Sequence, residues 1–218
     1  MSFHLFLVAG THRIPAPLLD QKRFKRPKRS TKCSEVVGLK PPIPGYKTQD
    51  ITWQIEVFPG QEHQNFTGTI ENVISEVQKR NTAFKLDPPE IDILSKRYQW
   101  DFGDLICGGG PYNWQWAKTN YVTGGINYLR SIKGKPHLPA GPGTCGRVSC
   151  GDKASIWWCN DRDDFTEHYL TTFAEIALGA ERINDVCRTE TRKGWLTVGQ
   201  IFTNQKWNVI VREDRNDC

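Results

Sequence analysis

Six cysteines, Cys107, Cys145, Cys150, Cys159, Cys187 and Cys218, fall in the last 112 residues of this 218-residue chain, and Cys218 is its final residue. An even cluster of thiols in a short polar stretch is the pattern of a disulfide framework, which supplies stability that a modest core cannot. The competing reading is a set of unpaired core cysteines, since free cysteine is among the most buried residue types. The even count and the crowding favour three bridges, with Cys33 left over. Bridges persist in oxidising compartments, so the chain is expected outside the cell.

The remaining composition agrees with a soluble globular protein. Hydrophobic residues make up 38% of the chain and the mean hydropathy is −0.56. No apolar run approaches the roughly 20 residues a membrane-spanning helix needs. The net charge of +5 is unevenly placed. Residues 1–32 carry eight basic side chains and one acid, a balance of +7, so the rest of the chain sums to −2. Such an arm can bind nucleic acid or an anionic membrane surface, can be a solvated extension, or can be processed at its dibasic pairs Lys22-Arg23 and Lys28-Arg29. The body shows no matching basic stripe and no nucleic-acid motif, so nucleic acid is not the favoured partner. Residues 3–9 are apolar but lack a charged flank, and they do not read as a convincing signal peptide.

Patterning divides the chain into three parts. Residues 1–48 form a basic, proline-containing arm, expected to be disordered or processed. Residues 49–106 hold a strand–strand–helix unit and an irregular linker. Residues 51–58 alternate apolar and polar as a half-buried strand does, Pro59-Gly60 turns the chain, and 65–69 return. Ile70, Val73, Ile74 and Val77 then repeat at helical spacing, which predicts a helix over 70–80. Asn65-Phe66-Thr67 is a glycosylation acceptor triplet at this hairpin, which makes Asn65 a candidate glycan site. Residues 83–114 read as irregular, with Pro88-Pro89 and Gly108-Gly109-Gly110-Pro111 as punctuation.

Residues 107–218 are the cysteine-rich domain. A helix over 121–132 is weakened by Gly124-Gly125. Two short strands, 146–150 and 155–160, flank a turn at 151–154. Thr172-x-x-Glu175 is a capping-box pattern that opens a helix ending near Cys187. Strands at 195–202 and 207–211 make a last hairpin. Four strands and two helices in this order predict an α+β fold, a two-layer sandwich with an antiparallel sheet packed against two helices and stapled by disulfides.

The first hairpin constrains the bridges. If it turns through an even number of residues at Asp152-Lys153, Cys150 faces Ser155, Val148 faces Trp157 and Gly146 faces Cys159. Cys150, Val148, Trp157 and Cys159 then share a face, expected to look toward the helices. Cys150 and Cys159 are about 13 Å apart along the strands, too far for a bond to each other. They are expected to reach Cys187 and Cys107, leaving Cys145 with Cys218. An odd turn shifts this register.

Catalytic and metal signals are sparse. His137 and His168 have no second histidine at ligand spacing, so no metal and no cofactor are expected. No nucleophile elbow, P-loop or dinucleotide fingerprint is present. Asp161, Asp163, Asp164 and Glu167 lack the pattern of a calcium loop and suit the approach to a helix N-terminus. Asp101, Asp104 or Asp161 are the carboxylates that a glycoside hydrolase would use. The chain has eight tryptophans. Trp157 and Trp158 must point to opposite faces of their strand. Trp158, Trp195 and Trp207 are the candidate binding surface.

The segments Gly125-Ile-Asn-Tyr-Leu129, Cys145-Gly-Arg-Val-Ser-Cys150, Ile156-Trp-Trp-Cys-Asn-Asp161 and Trp207-Asn-Val-Ile-Val211, with Cys218, resemble a large group of small secreted cysteine-rich fungal proteins. The layout is similar to that of necrosis-inducing fungal effectors and of the virally encoded killer toxin of smut fungi. The resemblance covers residues 107–218. It implies an α/β-sandwich and action by blocking a target, a calcium channel in the toxin's case, and it assigns no functional residue here. The reading is therefore a secreted effector or toxin-like protein, a monomer, that binds a protein, membrane or glycan outside the cell and is not an enzyme. A secreted polysaccharide hydrolase and an intracellular nucleic-acid binder using residues 22–32 are the alternatives.

Overall fold

The computed structural model describes residues 39–87, 102–215 and 218. The chain falls into two units, Met1–Lys32 and Cys33–Cys218, and every described residue belongs to the second. The basic arm, Cys33 and Asp101 lie outside the described residues.

The chain enters through β1 (Lys47–Thr48), then the hairpin of β2 (Thr52–Ile55) and β3 (Gln64–Thr67), then α1 (Ile70–Arg80). The helix falls where its apolar spacing predicts, and Ile70, Val73, Ile74 and Val77 are its buried face. After β4 (Phe102–Cys107) come β5 (Ala117–Lys118), α2 (Thr119–Ser131), β6 (His137–Leu138), β7 (Thr144–Gly151), β8 (Ala154–Asn160) and β9 (His168–Tyr169). The chain finishes with α3 (Ala174–Val186), β10 (Thr189–Thr191), β11 (Gly194–Thr197), β12 (Gly199–Thr203) and β13 (Trp207–Glu213). The Glu of the capping box works as expected at the head of α3. Glu175 Oε1 accepts from the backbone N–H groups of Thr171 at 2.8 Å and Thr172 at 3.2 Å, satisfying donors at the helix entry.

The fold is mixed α+β. Its main sheet has six strands in the order β1-β7-β8-β13-β12-β4. The pair β1–β7 is parallel and the other neighbours are antiparallel, so the sheet is larger than expected and not wholly antiparallel. Three helices rather than two pack against it: α1 on β7, α2 on β7 and β8, and α3 on β13, β12 and β4. The predicted strand at 195–202 is two strands. The chain leaves the small sheet β10-β11-β5 at Thr197 and enters the main sheet at Gly199. β4, expected as irregular chain, is an edge strand. Gly103 and Asp104 are poor strand formers and fall at an irregularity in the register, while Phe102 and residues 105–107 pair with β12 and hold the strand.

Two apolar clusters flank the sheet. The larger joins Trp53, Ile70, Val148, Trp158, Phe173, Ile176, Trp207 and Val209, so the early hairpin and α1 share one core with the cysteine-rich part. Trp53 stacks on Phe173 with ring centroids 4.0 Å apart. The smaller cluster, on the other face, holds Cys145, Trp157, Cys159 and Ile210 under Ile43 and Trp114. The Trp114 indole donates to the Pro42 carbonyl at 2.7 Å, tying this cover together. With both faces covered, every residue of β8 is buried.

The β7–β8 hairpin corrects the disulfide expectation. Its turn is even, with Asp152 and Lys153 both at positive φ (42° and 70°), as a two-residue turn between twisted strands requires. Cys150 faces Ser155 as predicted. Past Ser149–Ile156 the next pair is Arg147–Trp157, which leaves Val148 as an extra residue in β7. This β-bulge moves the register by one position and sets Cys145, rather than Gly146, opposite Cys159. The bridges are Cys145–Cys159, Cys107–Cys187 and Cys150–Cys218, with Cα separations of 4.0, 5.0 and 5.2 Å. Neither Cys145–Cys218 nor any bond from Cys150 or Cys159 to Cys107 or Cys187 forms. The expected face is corrected too. Trp157 and Cys159 turn away from the helices, while Val148 joins the helix side.

Candidate functional site

The face opposite the helices carries the most elaborate polar chemistry. Alternation along β8 and β13 places Trp157, Cys159, Asn208, Ile210 and Arg212 on this side. Trp157 lies between two guanidinium groups, Arg147 at 5.8 Å and Arg212 at 5.5 Å from its ring centroid. Asp214 receives the Trp157 indole N–H at 2.9 Å and pairs with Arg212 Nη2 at 2.5 Å, and Arg147 Nη1 lies 3.5 Å away as a longer ion pair. All three ionic side chains are largely buried. Burial lowers the Arg212 guanidinium from its ordinary value, and Asp214 opposes that effect. This cluster ties the middles of β7 and β8 to the end of β13.

A second polar chain runs along the same face. Asp161 Oδ1 accepts from the Tyr46 hydroxyl at 2.9 Å and Oδ2 from Asn208 Nδ2 at 2.5 Å, and Asn208 Oδ1 accepts from Gln200 at 3.0 Å. Burial raises the Asp161 carboxyl above the ordinary carboxylate range, against the lowering pull of the Asn208 and Tyr46 hydrogen bonds. The Tyr46 phenol is raised by its own burial and then by Asp161. Both Asp161 oxygens are engaged, so the carboxylate locks the entry segment to the sheet.

The neighbouring acids are ion-paired at the surface. Lys206 holds Asp163 and Arg162 holds Asp164, and each carboxyl is lowered chiefly by that partner. Asp104 is exposed on the edge strand β4. Among the described residues no group of three His, Cys, Asp or Glu side chains gathers as a metal site would need. His168 is buried between Trp158 and Trp207, with ring centroids 5.8 and 6.2 Å away. Desolvation lowers it to about 4, so it is neutral at ordinary pH.

The tryptophan surface needs correction. Trp158 and Trp207 are only 0% and 3% exposed, because both point to the helix side of the sheet and fill its core. Trp195 is 46% exposed and stays at the surface, with the Arg188 guanidinium 5.2 Å from its ring centroid. The sequence pattern gives Trp195 and a strand over 195–202 but not the β10–β11 hairpin that presents the indole. Its signal was the run Arg188, Arg192, Lys193 beside an indole.

The acceptor triplet sits on β3, where alternation buries Phe66 and leaves Asn65 and Thr67 exposed. Asn65 lies opposite exposed Gln54 on β2, so its amide is open to a modifying enzyme. A cavity of about 440 Å³ lies beside this hairpin, lined by Val57, Phe84, Leu86 and Ile132 and by the Lys133–Asp87 ion pair. Its volume is within the range of small-ligand pockets.

No protein-family model, curated protein or solved structure matches the chain.

Proposed function

We propose that this protein is secreted and acts by binding a target outside the cell, as a fungal effector or killer-toxin-like protein, and not by catalysis. The observation that carries the reading is the set of three disulfides. They close stretches of 80, 14 and 68 residues, and disulfides form and persist chiefly in oxidising compartments. No helix among the described residues is long and apolar enough to cross a membrane. We read the three helices on one face of the main sheet as the two-layer sandwich that the resemblance implies. The exposed Asn65 and Thr67 of the acceptor triplet suit a glycan added along the same route.

The test is the intact mass of protein purified from its native source, alkylated with and without reduction. The reading expects at most one alkylated thiol before reduction and a culture-fluid protein. Seven free thiols on a cell-associated chain would sink it. A glycan-release panel tests the catalytic alternative: sugar release that disappears in Asp161→Asn would move the reading to a hydrolase.

A further inference from the structure

The β10–β11 hairpin has no described core of its own. All eight residues from 188 to 195 are exposed. Two-stranded ribbons are at best marginally stable alone, and this one is attached where Leu196 and Thr197 pair with β5 and where the Thr119 hydroxyl donates to the Trp195 carbonyl at 3.3 Å. Its composition is basic. Arg188, Arg192 and Lys193 stand against one acid, Glu190, in a chain whose residues beyond the arm sum to −2. None of the three cations makes an ion pair with a carboxylate among the described residues. Lys118, Arg162 and Lys206, by contrast, are paired with Asp152, Asp164 and Asp163. Beside them stands the exposed Trp195. The β11 edge brings in β5, whose Lys118 lies 5.3 Å from the ring of exposed Tyr121 at the start of α2.

Unpaired cations call for an anionic partner, and the exposed indole narrows the choice. Tryptophan and tyrosine favour the membrane–water boundary, where one end of the ring is apolar and the other wet. Each Lys or Arg near an anionic bilayer adds about 1 kcal/mol of attraction. The cations beside Trp195, with Arg188 5.2 Å from its ring centroid, favour an anionic surface over a neutral sugar. We propose that the β10–β11 ribbon docks the protein on an anionic lipid bilayer, with Trp195 entering the interfacial region and Arg188, Arg192 and Lys193 meeting the lipid phosphates. This rests on the extracellular-binding reading above and names the surface that the binding uses.

The test is co-sedimentation of the full chain with vesicles of phosphatidylcholine alone and of phosphatidylcholine mixed with phosphatidylglycerol. It is combined with quenching of tryptophan fluorescence by bilayers carrying brominated acyl chains. Binding is expected only to the mixed vesicles and should weaken steeply with salt. Arg192→Glu with Lys193→Glu should cut affinity by at least about tenfold at an unchanged thermal midpoint. Trp195→Phe should remove most of the quenching, a readout that the basic arm cannot supply because it holds no tryptophan. Affinity unchanged by the double reversal, or quenching unchanged in Trp195→Phe, would overturn the proposal and assign any vesicle binding to the arm. Equal binding to both vesicle types, or capture by a sulfated polysaccharide without vesicle binding, would overturn it as well. The thiol count decides the extracellular reading separately. A fully bridged secreted protein that ignores vesicles defeats only the lipid proposal, and a thiol-rich cellular protein that binds them defeats only the secretion reading.

Discussion

Asp214 accepts from the indole of Trp157 and ion-pairs with the guanidinium groups of Arg147 and Arg212, all largely out of water. A buried pair is weak evidence of net stabilisation, yet removing one member strands the others. Asp214→Asn keeps the shape and removes the charge, leaving two desolvated cations against one ring. We expect it to lower unfolding free energy by about 3 kcal/mol in denaturant titration at neutral pH. His168 gives the complementary case of a group that must stay neutral. Its folded value of about 4 lies below the ordinary histidine value of 6.5. As pH falls from 6.5 toward 4 the unfolded chain takes up a proton that the folded chain refuses, so stability drops across that window and this contribution levels off below it. The drop should amount to about 2 kcal/mol, allowing for partial solvent screening. Denaturation midpoints measured through this window should be flatter in His168→Asn, which cannot titrate.

At the scale of elements, the two adjacent glycines of α2 have opposite roles. Both weaken a helix intrinsically. A Cβ at Gly124 would meet nothing within 4 Å, whereas one at Gly125 would lie 2.2 Å from Ser149 Oγ and 3.1 Å from Ile156 Cδ1. Gly125 is where the helix backbone lies against the β7–β8 hairpin. Gly124→Ala should therefore raise stability by about 0.5–1 kcal/mol, and Gly125→Ala should lower it by about 1–3 kcal/mol through overpacking. Paired thermal melts check both signs, and equal signs would contradict this packing. The β7 bulge acts at the same scale. One extra residue, Val148, redirects its side chain to the helices and brings Cys145 across from Cys159. Alternation and turn chemistry identify both strands of this hairpin. A bulge leaves no mark in apolar patterning when its residues are as permissive as Arg147-Val148-Ser149.

Over the whole molecule, the disulfides differ in the loops they close. In the chain-entropy description a bridge restrains the unfolded state more as its loop lengthens. Cys107–Cys187 spans 80 residues and Cys145–Cys159 spans 14. Cys107→Ala with Cys187→Ala should cost about 4.5 kcal/mol, against about 3 kcal/mol from loop entropy for the Cys145, Cys159 pair. The order is checked by denaturant unfolding of the two double variants, with the cavity left by buried Cys145 and Cys159 raising the second figure.

The sequence alone determined the local features. The repeat of Ile70, Val73, Ile74 and Val77 sets α1, Thr172 and Glu175 mark the head of α3, Asp152-Lys153 marks a turn, and an even set of six cysteines announces three bridges. Each depends on neighbours a few residues apart, where periodicity and capping act. Tertiary structure decided the partners. It paired the cysteines, buried Trp158 and Trp207 while leaving Trp195 outside, recruited β4 and β1 to the sheet, and set Asp161 between Tyr46 and Asn208. These outcomes turn on contacts between residues up to 115 positions apart. Burial and pairing at that range depend on which surfaces meet, and one residue of register moves every side chain of a strand to its other face.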